Sequence, residues 1–132
     1  MAADLENAIL DLAEKHGRYM PNAYHFTLEA VRYTADRVES SRHVSGEELL
    51  QGIRRLALER FGPMAKTVFE QWRVTKTEDF GMIVFQLVDE GLLGKTERDK
   101  LSDFASGYDF DQAFVREFDW LDRIVETKDP AA

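Results

Sequence analysis

Residues 75–93, TKTEDFGMIVFQLVDEGLL, constrain the fold more than any other stretch, because they form the one segment that is apolar on nearly every side of a helical wheel. Phe80, Ile83, Val84, Leu87 and Val88 recur at helical spacing along one stripe, and Met82 and Phe85 occupy the opposite side. Such a helix is expected to be buried all round at the centre of a bundle, and truncating Phe85 to alanine is expected to cost about 3 to 5 kcal/mol. Both of its ends are marked. Thr75 followed three residues later by Glu78 has the capping-box form, and Gly91 suits the left-handed position that ends a helix and lets Leu92 fold back on Leu87.

The remaining apolar periods are expected to supply the helices around it. Leu5, Ile9 and Leu12, with Ala8 and Ala13 beside them, mark an amphipathic helix over residues 4–16 that Gly17 ends. After Pro21 a longer helix is expected over residues 22–40, with Tyr24, Leu28, Val31, Ala35 and Val38 as its seam. Ser45 and Glu48 repeat the capping-box signature and open a helix over residues 45–61 with Leu49, Ile53, Leu56, Ala57 and Phe61 inward. Gly62 closes it, and Pro63 sits in the first turn of a helix over residues 63–72 that turns Ala65, Val68, Phe69 and Trp72 inward. Beyond Gly94, Thr96 and Asp99 can cap a short helix containing Leu101 and Phe104. Asp109 with Gln112 opens a last helix carrying Phe114, Phe118, Leu121 and Val125. The expected fold is mostly α, a compact single-domain multi-helix bundle over residues 1–125 with a frayed tail at 126–132. The alternative is α+β, with a small β-ribbon near residues 42–44 and 92–95 and a helix-turn-helix-like core.

A chain of 132 residues is long enough for one core without staples. It has no cysteine, which excludes disulfides, thiolate metal sites and a cysteine nucleophile, and fits a cytoplasmic setting. The start, Met-Ala-Ala-Asp-Leu-Glu, lacks the basic region and apolar core of a secretion signal, and no apolar run approaches a membrane span. The net charge of −8 is unevenly placed: −3 over residues 1–41, +3 over 42–77 and −8 over 78–132. An acidic whole works against general attraction to nucleic acid or anionic lipid.

No catalytic, metal or phosphate-cradling motif stands out. His16, His25 and His43 lack the i, i+4 spacing of a helical metal clamp, and His25 with Glu29 one turn on is short of a full ligand set, so neither a cofactor nor a metal is expected. Asp79-Phe80-Gly81 copies the metal-binding tripeptide of protein kinases without the glycine-rich and catalytic loops that give it meaning. Its structural reading is an acidic first turn and a glycine that lets a neighbour come close. Asp109 and Asp111 lack the glycine and closing glutamate of a calcium loop. Arg42 and His43, just ahead of a helix start, form a candidate anion site. Arg54, Arg55, Arg60 and Lys66 are the residues that would meet nucleic acid if the three successive helices over 45–61, 63–72 and 75–93 formed a trihelical DNA reader. The expected recognition helix, however, offers Glu78, Asp79 and Phe80 to the bases, which argues against that use. Tyr108, Phe110 and Trp120 crowd the acidic C-terminal third, and Trp120 lies about 160° from Phe118 on a helical wheel, off the expected stripe, as a candidate interface anchor.

The segments RHVSGEELLQGIRRLALERFGPMAKTV, TEDFGMIVFQLV and YDF resemble a small family of uncharacterised bacterial proteins of planctomycete and verrucomicrobial type, over roughly residues 24–114. The resemblance implies a bacterial, cytoplasmic, single-domain protein and carries over no functional residue, since that family has no established activity. One position departs from it: where a glycine is expected after Trp72, this chain has Arg73. The function expected from the whole is a non-catalytic protein-interaction or scaffold domain, acting on an unknown protein partner or by self-association. A weak nucleic-acid binder comes second and a small enzyme of unknown class third.

Overall fold

The computed structural model describes residues 2–37, 44–94, 104, 107–110 and 112–116. Among the described residues five α-helices pack as a bundle: α1 (Ala2–His16), α2 (Pro21–Ala35), α3 (Gly46–Phe61), α4 (Ala65–Gln71) and α5 (Thr77–Asp89). A 3-10 turn, Gly62–Met64, joins α3 to α4, and a π-helical turn, Gln112–Arg116, closes the described chain. Among the described residues there is no strand. The expected cap pair Asp109 and Gln112 forms, with the Gln112 amide donating to Asp109 Oδ1 at 3.2 Å, ahead of that π-helical turn.

The central place belongs to α2, which packs on α1, α3 and α5. Its buried face is Ala23, Tyr24, Phe26, Thr27, Ala30 and Thr34, while Leu28 and Val31 are half-buried and Ala35 is exposed. The expected seam is thus rotated, because its small side chains are what let two backbones close on each other. At the contact with α3, Gly52 faces Thr34 so tightly that an added Cβ would run into the Thr34 hydroxyl. The Thr34 and Thr27 hydroxyls donate to the carbonyls of Ala30 and Ala23, which keeps both polar groups satisfied inside the core.

Helix α5 is buried on one side only, which corrects the expectation of all-round burial. Phe80, Ile83 and Leu87 are fully covered, whereas Met82 is 40% and Phe85 37% exposed. Helices α2 and α3 lie against the Phe80 stripe, and Glu78, Met82, Phe85 and Asp89 share the outward face. Leu5 likewise stands outside the α1 stripe, with Ile9 and Leu12 inside. The densest packing is aromatic instead: Phe69 of α4 lies 5.2 to 5.6 Å from the ring centres of Phe26, Phe80, Phe110 and Phe114. A ring set of that kind adds edge-to-face attraction to the area it buries.

Helix ends follow local chemistry. The Ser45 capping box forms as expected, with the Glu48 amide donating to Ser45 Oγ at 3.1 Å and the Ser45 amide to Glu48 Oε1 at 3.0 Å. Gly91 adopts φ +76°, the Leu92 amide reaches the Leu87 carbonyl at 2.8 Å and the Gly91 amide that of Val88 at 3.0 Å, a Schellman stop. The same device ends α4 without a glycine. Arg73 takes φ +68°, the Val74 amide donates to the Phe69 carbonyl at 2.9 Å and the Arg73 amide to that of Glu70 at 3.0 Å. At α5 the cap lies one residue later than the Thr75 and Glu78 pair suggests: the side chain that reaches back is Asp79.

Candidate functional site

Two polar regions of the bundle are built differently. The first surrounds Asp79, which is 2% exposed at the start of α5. Its Oδ2 accepts from the Thr75 amide at 2.8 Å and the Lys76 amide at 3.1 Å, so it holds two of the donors that a helix start leaves open. Its Oδ1 accepts from the Tyr19 hydroxyl at 2.7 Å and from Arg18 Nη2 at 3.3 Å, which ties the α1–α2 connection to α5. Burial pushes this carboxyl up, but the bonds from Thr75, Tyr19 and Lys76 and the charge of Arg18 together hold it below the usual carboxylate range. Burial and the Asp79 bond push the Tyr19 hydroxyl well above the usual tyrosine range. Two turns further along α5, Gln86 Oε1 accepts from the Tyr24 hydroxyl, which burial pushes up to about 12. Both Asp79 oxygens and the Tyr19 and Tyr24 hydroxyls are bonded within the fold.

The second region is a cleft of about 500 Å³ between the end of α2 and the start of α3. Tyr33, Thr34 and Arg37 form one wall, Glu47, Glu48, Gln51 and Arg55 the other, and Leu50, Gly52 and Gly107 the floor. The walls exist because α2 and α3 touch through Thr34 and Gly52 and their longer side chains project past that contact. Arg37 stacks on the Tyr33 ring at 3.5 Å, and the Tyr33 hydroxyl donates to Glu59. Burial and Glu59 raise the Tyr33 hydroxyl pKa against the opposing charges of Arg37 and Arg55, so both guanidinium charges act on the Tyr33 hydroxyl. Glu47, Gln51 and Arg55 make no side-chain hydrogen bond or ion pair among the described residues, in contrast to the Asp79 region. Comparison of the chain with protein-family models, curated proteins and solved structures gives no match.

The structure scatters the four basic residues marked in the sequence as a nucleic-acid face. Arg54 is half-buried, with its charge acting on the Tyr108 phenol. Arg55 lines the cleft, Arg60 forms a two-point pair with Glu29, and Lys66 lies 3.8 Å from Glu70. The helix-turn-helix alternative gains no support, because the outward face of α5 carries Glu78, Met82, Phe85 and Asp89, two acids and two apolar side chains rather than donors for base edges. Gly81 serves packing, as the kinase-like tripeptide was expected to do: an added Cβ would lie 2.8 Å from Phe104 Cβ.

Of the candidate interface aromatics, Phe110 is 4% exposed in the ring cluster, and Tyr108 is half-buried with its hydroxyl donating to the Leu50 carbonyl at 2.7 Å. Trp120, Arg42 and His43 lie outside the described residues. His25 is exposed and its neighbour Glu29 is taken by Arg60; among the described residues no group of three His, Asp or Glu side chains is placed to hold a metal. No described helix is long and apolar enough to cross a membrane. The cleft residues Tyr33, Arg37, Glu47 and Gln51 were not singled out from the sequence, although Glu47, Gln51 and Arg55 follow one another at helical i, i+4 spacing on a helix whose start was legible.

Proposed function

We propose that this chain is a non-catalytic protein-interaction domain whose docking surface is the cleft between α2 and α3. The observation that carries this reading is the contrast in polar pairing: the buried polar groups are bonded inward, and the cleft presents Glu47, Gln51 and Arg55 without partners of their own among the described residues. Charges held open on a preformed concave surface favour selection of a partner by complementarity. The cleft is set by helix packing, so little ordering cost falls on binding. Membership of the uncharacterised bacterial family that the sequence resembles, and a cytoplasmic setting, belong to the same proposal.

Binding of nucleic acid is the weaker reading, since Arg60 and Lys66 are drawn to Glu29 and Glu70 and the cleft mixes both signs. The test is photo-cross-linking from position 51 and, separately, from position 82, in the native host. Each captured protein is then purified and its binding to wild type and to Arg55→Glu compared. A partner captured from position 51 that binds wild type and loses Arg55→Glu supports the reading. Capture from position 82 alone, or binding indifferent to Arg55→Glu, removes it.

A further inference from the structure

The wall that α3 gives to the cleft has an order. Glu47, Gln51 and Arg55 follow one another at single-turn spacing, so an acid, an amide and a base are set out along about 12 Å of helix. Arg37 stands on the opposite wall, its guanidinium stacked on the Tyr33 ring and bonded from Nη1 to the Tyr33 carbonyl at 3.1 Å, and the hydroxyl of that ring reaches Glu59, one turn beyond Arg55. Leu50, 1% exposed, and Gly107 over it close the floor between the two ends.

A ligand complementary to this wall carries an anion at one end, a peptide-like amide in the middle and a cation at the other. Guanidinium groups pair best with a planar carboxylate, which accepts two parallel N–H bonds. An extended chain rises roughly 3.3 to 3.6 Å per residue, so about 12 Å accommodates three or four residues. We infer that the cleft binds the C-terminal end of a peptide chain, with its terminal carboxylate at Arg37 and Arg55, a backbone amide at Gln51 and a Lys or Arg side chain two or three residues upstream at Glu47. A basic partner segment also suits a chain whose net charge is −8. This inference rests on the reading of the cleft as a docking surface and adds the chemistry of what docks.

The probes are fluorescein-labelled tetrapeptide pools with Leu last and Lys at the first or second position, prepared as free acids and as C-terminal amides, alongside matching pools with Glu in place of Lys. Fluorescence anisotropy with the whole chain is expected to show the free-acid Lys pool binding at least about tenfold more tightly than its amide, the equivalent of one charge-assisted bond. Arg55→Gln should lose that preference and Arg55→Lys recover part of it. Glu47→Lys should turn the preference from the Lys pool to the Glu pool, with circular dichroism confirming that each variant is folded. Equal binding of acid and amide, or a Glu47→Lys variant that still prefers Lys, overturns the chain-end assignment. If all pools fail while cross-linking from position 51 still yields an Arg55-dependent partner, the chain-end chemistry is wrong and the cleft reading stands. If both fail, the interaction reading falls with it.

Discussion

The start of α5 and the cleft between α2 and α3 are both polar regions of the bundle, and they differ in where their polar atoms point. At α5, Asp79 accepts from two backbone amides, a phenol and a guanidinium, so the region joins three parts of the chain. In the cleft, Arg55 and Glu47 stand on a helix wall without a side-chain hydrogen bond or ion pair among the described residues, and Arg37 is bonded to Tyr33 of the neighbouring turn. A buried polar group that is fully bonded resists loss of any one member, because the rest are then stranded without water. An exposed charge without a partner contributes little to stability and is free to serve recognition.

Removing one residue from each region separates the two roles. Asp79→Ala is expected to cost about 3 kcal/mol in urea unfolding, through the stranded Thr75 and Lys76 amides and the Tyr19 hydroxyl. Arg55→Gln is expected to fall within about 0.5 kcal/mol of wild type, the usual surface value. Equal costs would erase the distinction. Gly52→Ala probes the contact on which the cleft stands: its methyl group must displace the Thr34 hydroxyl, at an expected cost of about 1 to 3 kcal/mol. A change below about 0.5 kcal/mol would show that α2 and α3 are not held at that contact.

Acid gives a sharper version of the first comparison. The folded pKa of Asp79 lies below its ordinary value, so the stability it contributes is fully present above about pH 4 and is lost as pH falls through that lower folded value. The gap in unfolding free energy between wild type and Asp79→Ala should therefore narrow as pH is lowered from about 5 to about 2, with no such narrowing for Arg55→Gln. A gap that stays constant would mean that Asp79 is not the titrating group. The smallest effect is a gain. Arg73 holds a left-handed conformation at φ +68°, which costs a side-chain-bearing residue about 1 kcal/mol or more, so Arg73→Gly should stabilise by about 0.5 to 1 kcal/mol after the entropy cost of glycine. Destabilisation would place Arg73 in a contact that outweighs its backbone strain.

Local signals were legible in the sequence and pairings across the chain were not. The Ser45 and Glu48 cap and the Gly91 stop are encoded within four residues and form as read. At α5 the cap was read one residue early: Asp79 rather than Glu78 reaches back, and Tyr19 and Arg18, some 60 residues away, meet it from the other side. The seam of α2 was misplaced because Ala23, Thr27 and Ala30 carry little hydropathy, although their small size is what makes α2 central. Phe85 was misjudged for the opposite reason: its hydropathy says nothing about whether a neighbour arrives to cover it. The cleft needed the crossing of α2 over α3, set by the close Thr34 and Gly52 contact between residues far apart in sequence, so its wall of Glu47, Gln51 and Arg55 read as an ordinary solvated face.

The central claim is that one polar region holds the fold and the other binds. An amide nitrogen–proton correlation spectrum, recorded while the free-acid Lys tetrapeptide pool is titrated into the whole chain, tests it most directly. The expected result is a saturable set of shifts confined to residues 33–37 and 47–55, with the signals of residues 18–19 and 75–80 unmoved. Shifts centred on the Asp79 region or on the exposed Met82 and Phe85 face, or no shifts at all, would contradict it.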